Sequence, residues 1–512
     1  MSDKSNNFVL ELPLIVEKWQ EDKLNTTFEI GRNIYNSLVN ITSKRYNQMI
    51  RTKLYKFSKT KYIDFSIKLG IEEKKEKPNR LLLKQLRISK NKYKSILSDL
   101  RIKYNISLYA FEKDVKDMQK HFKNNINSHL AQKICFNLWK AYEKLMFGDG
   151  NEVHFKKFGS FNSLEGKNNK TGLVVENEVL KINKMKLPII IDKKNYFEVM
   201  CFDNKICYNR IIRKKIRGKY KFYVQIIFEG VPPIKIHSKT GEVKTSLGKG
   251  TMGADIGTQT LALSSSERVS MIVLADKVNF MEREIKLIQR KMDRSRRTTN
   301  PNNYNVDGTI KKQGNKKVNW FNSNRYSKLR DKLAEVRRKQ AAIRKYQHEC
   351  LANEIIKGCD TFIVETMNYK ALQKKAKKTT VSMKTGKINR KKRFGKSLGN
   401  RSPATFLATL KRKIEYHGGT YSEVNTWSFK ASQYNHSSDE YKKKSLSKRF
   451  EIVDRFKVQR DLYSAFLLMN TKDDLKTTDK TKCDSTFEEF IKLHNLEWKR
   501  LEGNKNISSI GI

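Results

Sequence analysis

The stretch Met252-Gly253-Ala254-Asp255-Ile256-Gly257-Thr258-Gln259-Thr260-Leu261-Ala262-Leu263 leaves the backbone few choices. Two short apolar runs flank a turn through Gly257, so it reads as strand, turn, strand. The first strand carries one carboxylate, Asp255. Asp-x-Gly alone decides little, because sugar kinases and ordinary hairpins also contain it. Two more acids occupy comparable positions downstream. Glu365 closes the apolar run Phe362-Ile363-Val364, and Asp461 opens the apolar segment Leu462 to Met469. Glu365 is hard to explain as an ordinary surface acid, since an unpaired carboxylate at the end of a buried strand is costly.

Charge points the same way. Lys and Arg outnumber Asp and Glu by 107 to 53, a formal charge of +54. A compact fold with that excess repels itself unless a polyanion is at hand. The basic residues are spread among 38% apolar residues rather than gathered in a tail, so the expectation is folded basic surfaces that meet nucleic acid. No run approaches the roughly 18 apolar residues that span a bilayer, and the opening Met-Ser-Asp-Lys-Ser-Asn-Asn lacks an apolar signal core. The six cysteines form no CxxC pair, so neither a disulfide framework nor a zinc site is written in the spacing. The expectation is a soluble, cytoplasmic or nucleoid-associated protein of a prokaryotic cell with no membrane partner, monomeric or homodimeric.

Along the chain the periodicity changes twice. Residues 1–20 hold a first strand, Phe8 to Val16. Residues 21–149 take helical spacing, as in Ile30, Ile34, Leu38 and Ile41, and predict four to six helices whose aromatics read as core. Residues 150–249 alternate, with strands expected at 172–175, 179–182, 187–191, 196–201, 206–212 and 220–228, followed by a linker from Val231-Pro232-Pro233. These predict a small antiparallel barrel. Its rim carries Lys156 and Lys157 between phenylalanines, and Arg213, Lys214, Lys215 and Arg217. Such interleaving suits nucleic acid, but it equally suits a solvated edge strand guarded by lysine. Residues 250–474 predict two opening strands, a charged helix from Val278 to Arg297, a long helix from Ser323 to Ile356, a strand at 362–365, a helix at 406–416, a strand at 420–424 and a last helix from Asp461. Between them, Asn368 to Arg401 is a basic loop containing Lys391, Lys392 and Arg393, expected to order on phosphate. Residues 475–512 read as a polar tail with one amphipathic piece, Phe487 to Trp498. The fold class expected is multidomain α+β.

Hydrolysis of a phosphodiester needs charge stabilisation at the attacking and leaving oxygens, and two Mg²⁺ ions held by carboxylates supply it. Two strands and a helix, each bringing one acid, suit that task.

The motifs GADIGTQTLAL (253–263), FIVETMNYKAL (362–372) and VQRDLYSAFLL (458–468), in this order and spacing, resemble the transposon-encoded TnpB family and its relatives, the compact type V CRISPR effectors. The Arg-rich QRKMDRSRR (289–297), with Arg294, Arg296 and Arg297, and the segment 393–419 support the resemblance, which covers roughly residues 250 to 470. It implies an RNA-guided DNA endonuclease with a C-terminal α/β RNase H-like (RuvC) domain. Asp255, Glu365 and Asp461 would be its catalytic Mg²⁺ ligands. It also implies an N-terminal wedge-like β-barrel with an inserted helical recognition domain, and guide RNA with double- and single-stranded target DNA as partners. A CRISPR effector, or a guided DNA-binding repressor without cleavage, is the alternative. Many family members carry a four-cysteine zinc ribbon between the second and third acids. Here 426–460 contains no cysteine, and one histidine cannot hold a structural zinc. His436 therefore reads as a surface or core histidine, no zinc is expected, and Lys442 to Lys444 with Lys448-Arg449 are left to guide the target strand.

Overall fold

Residues Asn7–Pro13 (β1) alternate with period two, burying Phe8, Leu10 and Leu12 and exposing the residues between. In the computed structural model, residues 7–73, 75, 78–148, 150–311, 318–374, 381, 394–445 and 448–502 are described. They divide into two compact units, Met1–Thr240 and Gly241–Ile512.

In the first unit β1 is followed by five helices, α1 (Lys18–Arg51), α2 (Lys53–Glu72), α3 (Arg80–Lys103), α4 (Leu108–His121) and α5 (Ser128–Phe147). Thr52, Asn79, Ser107 and Asn127 start α2 to α5, each side chain accepting a backbone N–H of the first turn. Next come β2 (Ser163–Glu165), β3 (Leu173–Glu176), β4 (Val179–Ile182), β5 (Met185–Pro188), the short α6 (Tyr196–Cys201), β6 (Ile206–Ile216) and β7 (Lys219–Glu229). The strands form an antiparallel sheet in the order β1-β7-β6-β2 and a meander β3-β4-β5, joined by the bridge Leu14↔Ile189. Among the described residues they do not close into the expected barrel. Residues 196–201, expected as a strand, form helix α6, whose Cys201 is fully buried. One hydrophobic core runs through helices and sheet alike, joining Leu24, Phe28 and Leu38 of α1 and Leu138 of α5 to Leu164, Val224 and Phe228.

Arg213 belongs to that core. It is 3% exposed, with its guanidinium 4.7 Å from the ring centres of both Phe28 and Tyr220. Nε donates to Asn162 Oδ1 (2.9 Å), Nη1 to Asn25 Oδ1 (2.9 Å) and Nη2 to Glu29 Oε1 (2.7 Å). The expectation of a phosphate contact at Arg213 is corrected: strand alternation turns it inward, and every donor faces protein. Arg213→Ala should cost about 2–4 kcal/mol, because it empties the space between Phe28 and Tyr220 and takes a donor from Asn162, Asn25 and Glu29, although Glu29 keeps Arg32 (2.7 Å). Chemical denaturation of the full chain checks this, and a loss under about 1 kcal/mol would contradict it.

The second unit contains β8 (Thr251–Ile256), β9 (Thr260–Ser264), β10 (Val269–Val273), α7 (Glu282–Thr299), α8 (Asn324–Ile356), β11 (Thr361–Glu365), α9 (Tyr369–Leu372), α10 (Gly395–Arg401), α11 (Pro403–Tyr416) and β12 (Thr420–Val424). It continues with α12 (Thr426–Phe429), the hairpins β13 (Tyr434–Asn435)–β14 (Glu440–Tyr441) and β15 (Phe450–Val453)–β16 (Phe456–Gln459), α13 (Arg460–Met469) and α14 (Lys480–Glu502). The five-stranded sheet has the order β10-β9-β8-β11-β12. β8, β11 and β12 run parallel, and β9 pairs antiparallel with both β8 and β10. Both faces are covered, which is why β8 and β9 read as nearly unbroken apolar runs. One face meets α8 and α11 through Met252, Ala254, Phe362, Val364, Ile355 and Phe406. The other meets α13 and α14 through Ala262, Met271, Leu462, Phe466 and Phe490.

Helix α14 is where a polar tail was expected. It packs Phe487, Phe490 and Ile491 into the core and covers the sheet's edge. Glu497 Oε1 accepts the Met271 N–H (2.6 Å), and Arg500 Nη2 donates to the Met271 carbonyl (3.2 Å). The basic loop carries a short helix at each end, α9 and α10, while Lys391, Lys392 and Arg393 lie outside the described residues. No helix among the described residues is long and apolar enough to cross a membrane.

Candidate catalytic site

Strands β8 and β11 lie side by side in parallel, with Ile363 opposite Gly253 and Val364 opposite Ala254. One step further places Glu365 beside Asp255, both near the C-terminal ends of their strands, where parallel α/β sheets present functional groups. Alternation assigns their face. Met252, Ala254, Phe362 and Val364 point to α8 and α11, so Gly253, Asp255, Ile363 and Glu365 point to the opposite side, where Ile363 meets Leu468 of α13.

Gly253 sets how closely α13 approaches. A Cβ there would stand 2.1 Å from the Ala465 carbonyl oxygen and 2.2 Å from the Met469 nitrogen. Asp461 lies one turn before Ala465, so the contact that seats α13 on Gly253 also brings Asp461 toward Asp255. Gln459 caps the helix, its Oε1 accepting the Leu462 N–H (2.8 Å), and its own N–H is held by His494 Nε2 (3.0 Å). A carboxylate in a first helical turn is favoured by the peptide dipoles.

Asp255 senses the other two acids. Burial, then the negative charges of Asp461 and Glu365, raise the Asp255 carboxyl well above its ordinary value. Burial also raises Glu365, opposed by the Ala431 N–H that donates to its Oε1 (3.2 Å). Asp461 Oδ1 accepts from Arg460 Nε and Nη2 (3.2 and 3.1 Å), and Arg449 Nη1 stands 4.0 Å from Oδ2. Concentrated negative charge with hard oxygen donors is the chemistry that divalent cations neutralise. The fit is one of charge and donor type rather than finished geometry. Among the described residues no group of three or more His, Cys, Asp or Glu is drawn together into a metal cage, and Asp461 must first exchange its arginine partner.

The other sequence candidates differ in exposure. Lys156 and Lys157 are exposed beside Phe155 and Phe158, which are 56% and 82% exposed. Lys215 and Arg217 are exposed at the β6–β7 turn, whereas Lys214 pairs with Glu11 and lies over the Tyr223 ring. On the hairpin of α7 and α8, Arg294 is exposed. Arg296 is sandwiched by Trp320 and Tyr326 (5.1 Å to each ring), and Arg297 pairs with Asp293 (2.9 Å). Lys442, Lys443 and Lys448 are exposed, Lys444 pairs with Glu451, and Arg449 turns to Asp461.

His436 is a core residue. Its Nδ1 lies 2.6 Å from the Tyr463 hydroxyl and its ring 4.6 Å from that of Phe487, so aromatic packing ties the segment 426–460 to α13 and α14. Sequence reasoning missed Arg460, although it adjoins Asp461, and Ala431, whose contact with Glu365 depends on a turn no motif announces.

No protein-family model and no curated protein matches the chain. Among solved structures, it is similar to the protein of a Cas12f1–sgRNA–target DNA complex, with 10% identity and a TM-score of 0.40 over 91% of this chain and 99% of that one. It is also similar to that of a CRISPR-Cas12f ternary complex, with 12% identity and a TM-score of 0.24 over the same shares. Likeness this distant supports no inference about what the chain does.

Proposed function

We propose that the protein is an RNA-guided DNA endonuclease, transposon-associated, whose chemistry takes place at Asp255, Glu365 and Asp461. The observation that carries this reading is the delivery of three motif carboxylates to one face of the sheet, close enough for two of them to raise the third. Guidance by RNA rests on the motif resemblance together with the +54 charge. Base pairing would then supply most of the sequence specificity.

Asp255, Glu365 and Asp461 would hold Mg²⁺, which when bound supplies charge stabilisation at the entering and leaving oxygens of the phosphodiester. The chain's own part is to keep these acids in place: the sheet fixes Asp255 and Glu365, the Ala431 N–H orients Glu365, and the Gly253–α13 contact seats Asp461. Arg460 pairs with Asp461 through two hydrogen bonds to Oδ1. That pairing also gives substance to a second reading, a guided DNA-binding repressor that does not cleave. Within the first reading, a compact type V effector differs from a transposon-encoded nuclease in its neighbouring DNA and not in this chemistry.

RNA that copurifies with the protein tests the guided reading directly. Sequencing should return one discrete species that survives a wash at moderate salt. A heterogeneous mixture whose retention follows salt alone would mark a non-specific polyanion binder.

A further inference from the structure

Helix α13 begins with half of a reciprocal cap. Gln459 is the N-cap, and its Oε1 accepts the Leu462 N–H (2.8 Å). In a complete capping box, the side chain at that third helical position reaches back to accept the N-cap's own N–H. Here the position is Leu462, which has no acceptor to offer. The missing acceptor comes from 35 residues downstream, where His494 Nε2 of α14 takes the Gln459 N–H at 3.0 Å. A neutral imidazole that accepts at one nitrogen donates at the other. Nδ1 accordingly meets Asn495 Oδ1 at 3.1 Å, so both ring nitrogens are engaged in a single tautomer. Gln459 is fully buried and His494 is 2% exposed, its ring centre 5.7 Å from that of Phe490. Burial also lowers the imidazole below its ordinary value, which keeps Nε2 an acceptor at neutral pH.

We propose that His494 is a positioning residue for Asp461. It acts through Gln459, fixing the direction in which the chain leaves β16 and enters α13, and so the first turn that carries Asp461. Gly253 sets how closely α13 approaches the sheet, and His494 sets the angle at which the helix starts. The role rests on the nuclease reading and extends its machinery into α14, which lies beyond the span of the motif resemblance. Partners one step removed from metal ligands are worth about 10- to 100-fold in metal affinity or activity. A displacement of about 1 Å at a reacting centre costs a comparable factor. A histidine that only fills core space would, when replaced, lower stability and leave the Mg²⁺ affinity of the folded protein untouched.

The test compares wild type with His494→Leu, which removes the acceptor and keeps an apolar side chain, and with His494→Gln, whose Oε1 can stand where Nε2 stood. His494→Met, with only a weak acceptor, replaces the leucine variant should that one not fold. Glu497→Ala is the control, because it loosens α14 at Met271 and not at α13. Cleavage is followed on the complex with its copurifying RNA, and calorimetric melting on the full chain over a range of Mg²⁺ concentrations. His494→Leu should lower kcat about tenfold or more and leave KM for DNA within about twofold of wild type. The Mg²⁺ concentration giving half of the rise in melting temperature should increase about tenfold. His494→Gln should bring kcat and that midpoint back to within about threefold of wild type. Glu497→Ala should melt lower and keep both. A leucine or methionine variant that melts lower but holds kcat and the Mg²⁺ midpoint within about twofold of wild type would make His494 a core residue and overturn the proposal. A glutamine variant as impaired as the leucine one, or a control that loses as much kcat, would overturn it as well. Wild type that cleaves no DNA would refute the nuclease reading, and the positioning role with it, whereas active wild type beside an unimpaired His494→Leu would refute the positioning role alone.

Discussion

Asp255→Asn should abolish divalent-dependent cleavage and, in the absence of divalent ions, raise the melting temperature. The first effect follows from removing a ligand in a site where the cations supply several kcal/mol of charge stabilisation, which is roughly 10³-fold or more in rate. The second follows from electrostatics. Burial and the charges of Asp461 and Glu365 raise the Asp255 carboxyl above its ordinary 3.8, so the folded state holds a proton that the unfolded state has released. This group's favourable contribution is complete below pH 3.8 and is lost as pH rises through the raised folded value. At neutral pH a carboxyl in this place costs stability, because burial and the neighbouring acids oppose the ionised form that the unfolded chain adopts freely, and an amide of the same shape relieves that cost, worth about 2–4 °C for each kcal/mol. Calorimetry with and without Mg²⁺ gives the check. Mg²⁺ should raise the melting temperature of wild type and leave that of Asp255→Asn nearly unchanged. Retained cleavage, or a variant that melts below wild type in chelator, would remove Asp255 from the site.

Gly253→Ala should be among the most damaging single-methyl changes in the second unit. The added Cβ meets backbone at 2.1 and 2.2 Å, the Ala465 carbonyl oxygen and the Met469 nitrogen, and neither can move without shifting α13. A loss of about 3 kcal/mol or more is expected. In whatever still folds, Asp461 is displaced and cleavage is lost. Gly399→Ala in α10 is the control, because a Cβ there meets nothing within 4 Å. It should be neutral or stabilising by up to about 1 kcal/mol. Equal melting temperatures for the two variants would refute the seating role of Gly253.

Much of this arrangement is legible in the residues. The strands at 179–182 and 420–424 fall where alternation places them, and the long helix expected over 323–356 is observed at Asn324–Ile356. Periodicity reports burial on one side of an element, and these elements have a clear inside. It fails where the burial is tertiary. Arg213 is polar by composition but lies between two rings, and a basic run cannot show which of its cations turns inward. α14 has too few apolar residues to look like core, yet its polar pair Glu497 and Arg500 completes a sheet edge. The three acids are legible as motif members, while Arg460 and Ala431, which hold two of them, are not. Their roles depend on how β16 and α12 return to the site, and spacing does not encode that.

The clamp of α14 on Met271 has a consequence for the order in which the molecule is made. β10 leaves the ribosome roughly 200 residues before α14, on the order of 10–40 s at ordinary elongation rates. During that interval the second unit's sheet carries an open edge, and the helix bearing Asp461 is made only near its end. The first unit has its own core and does not have to wait. Biogenesis is therefore asymmetric, with a part that folds on emergence and a part that stays vulnerable to edge pairing with neighbouring nascent chains until residues near 500 arrive.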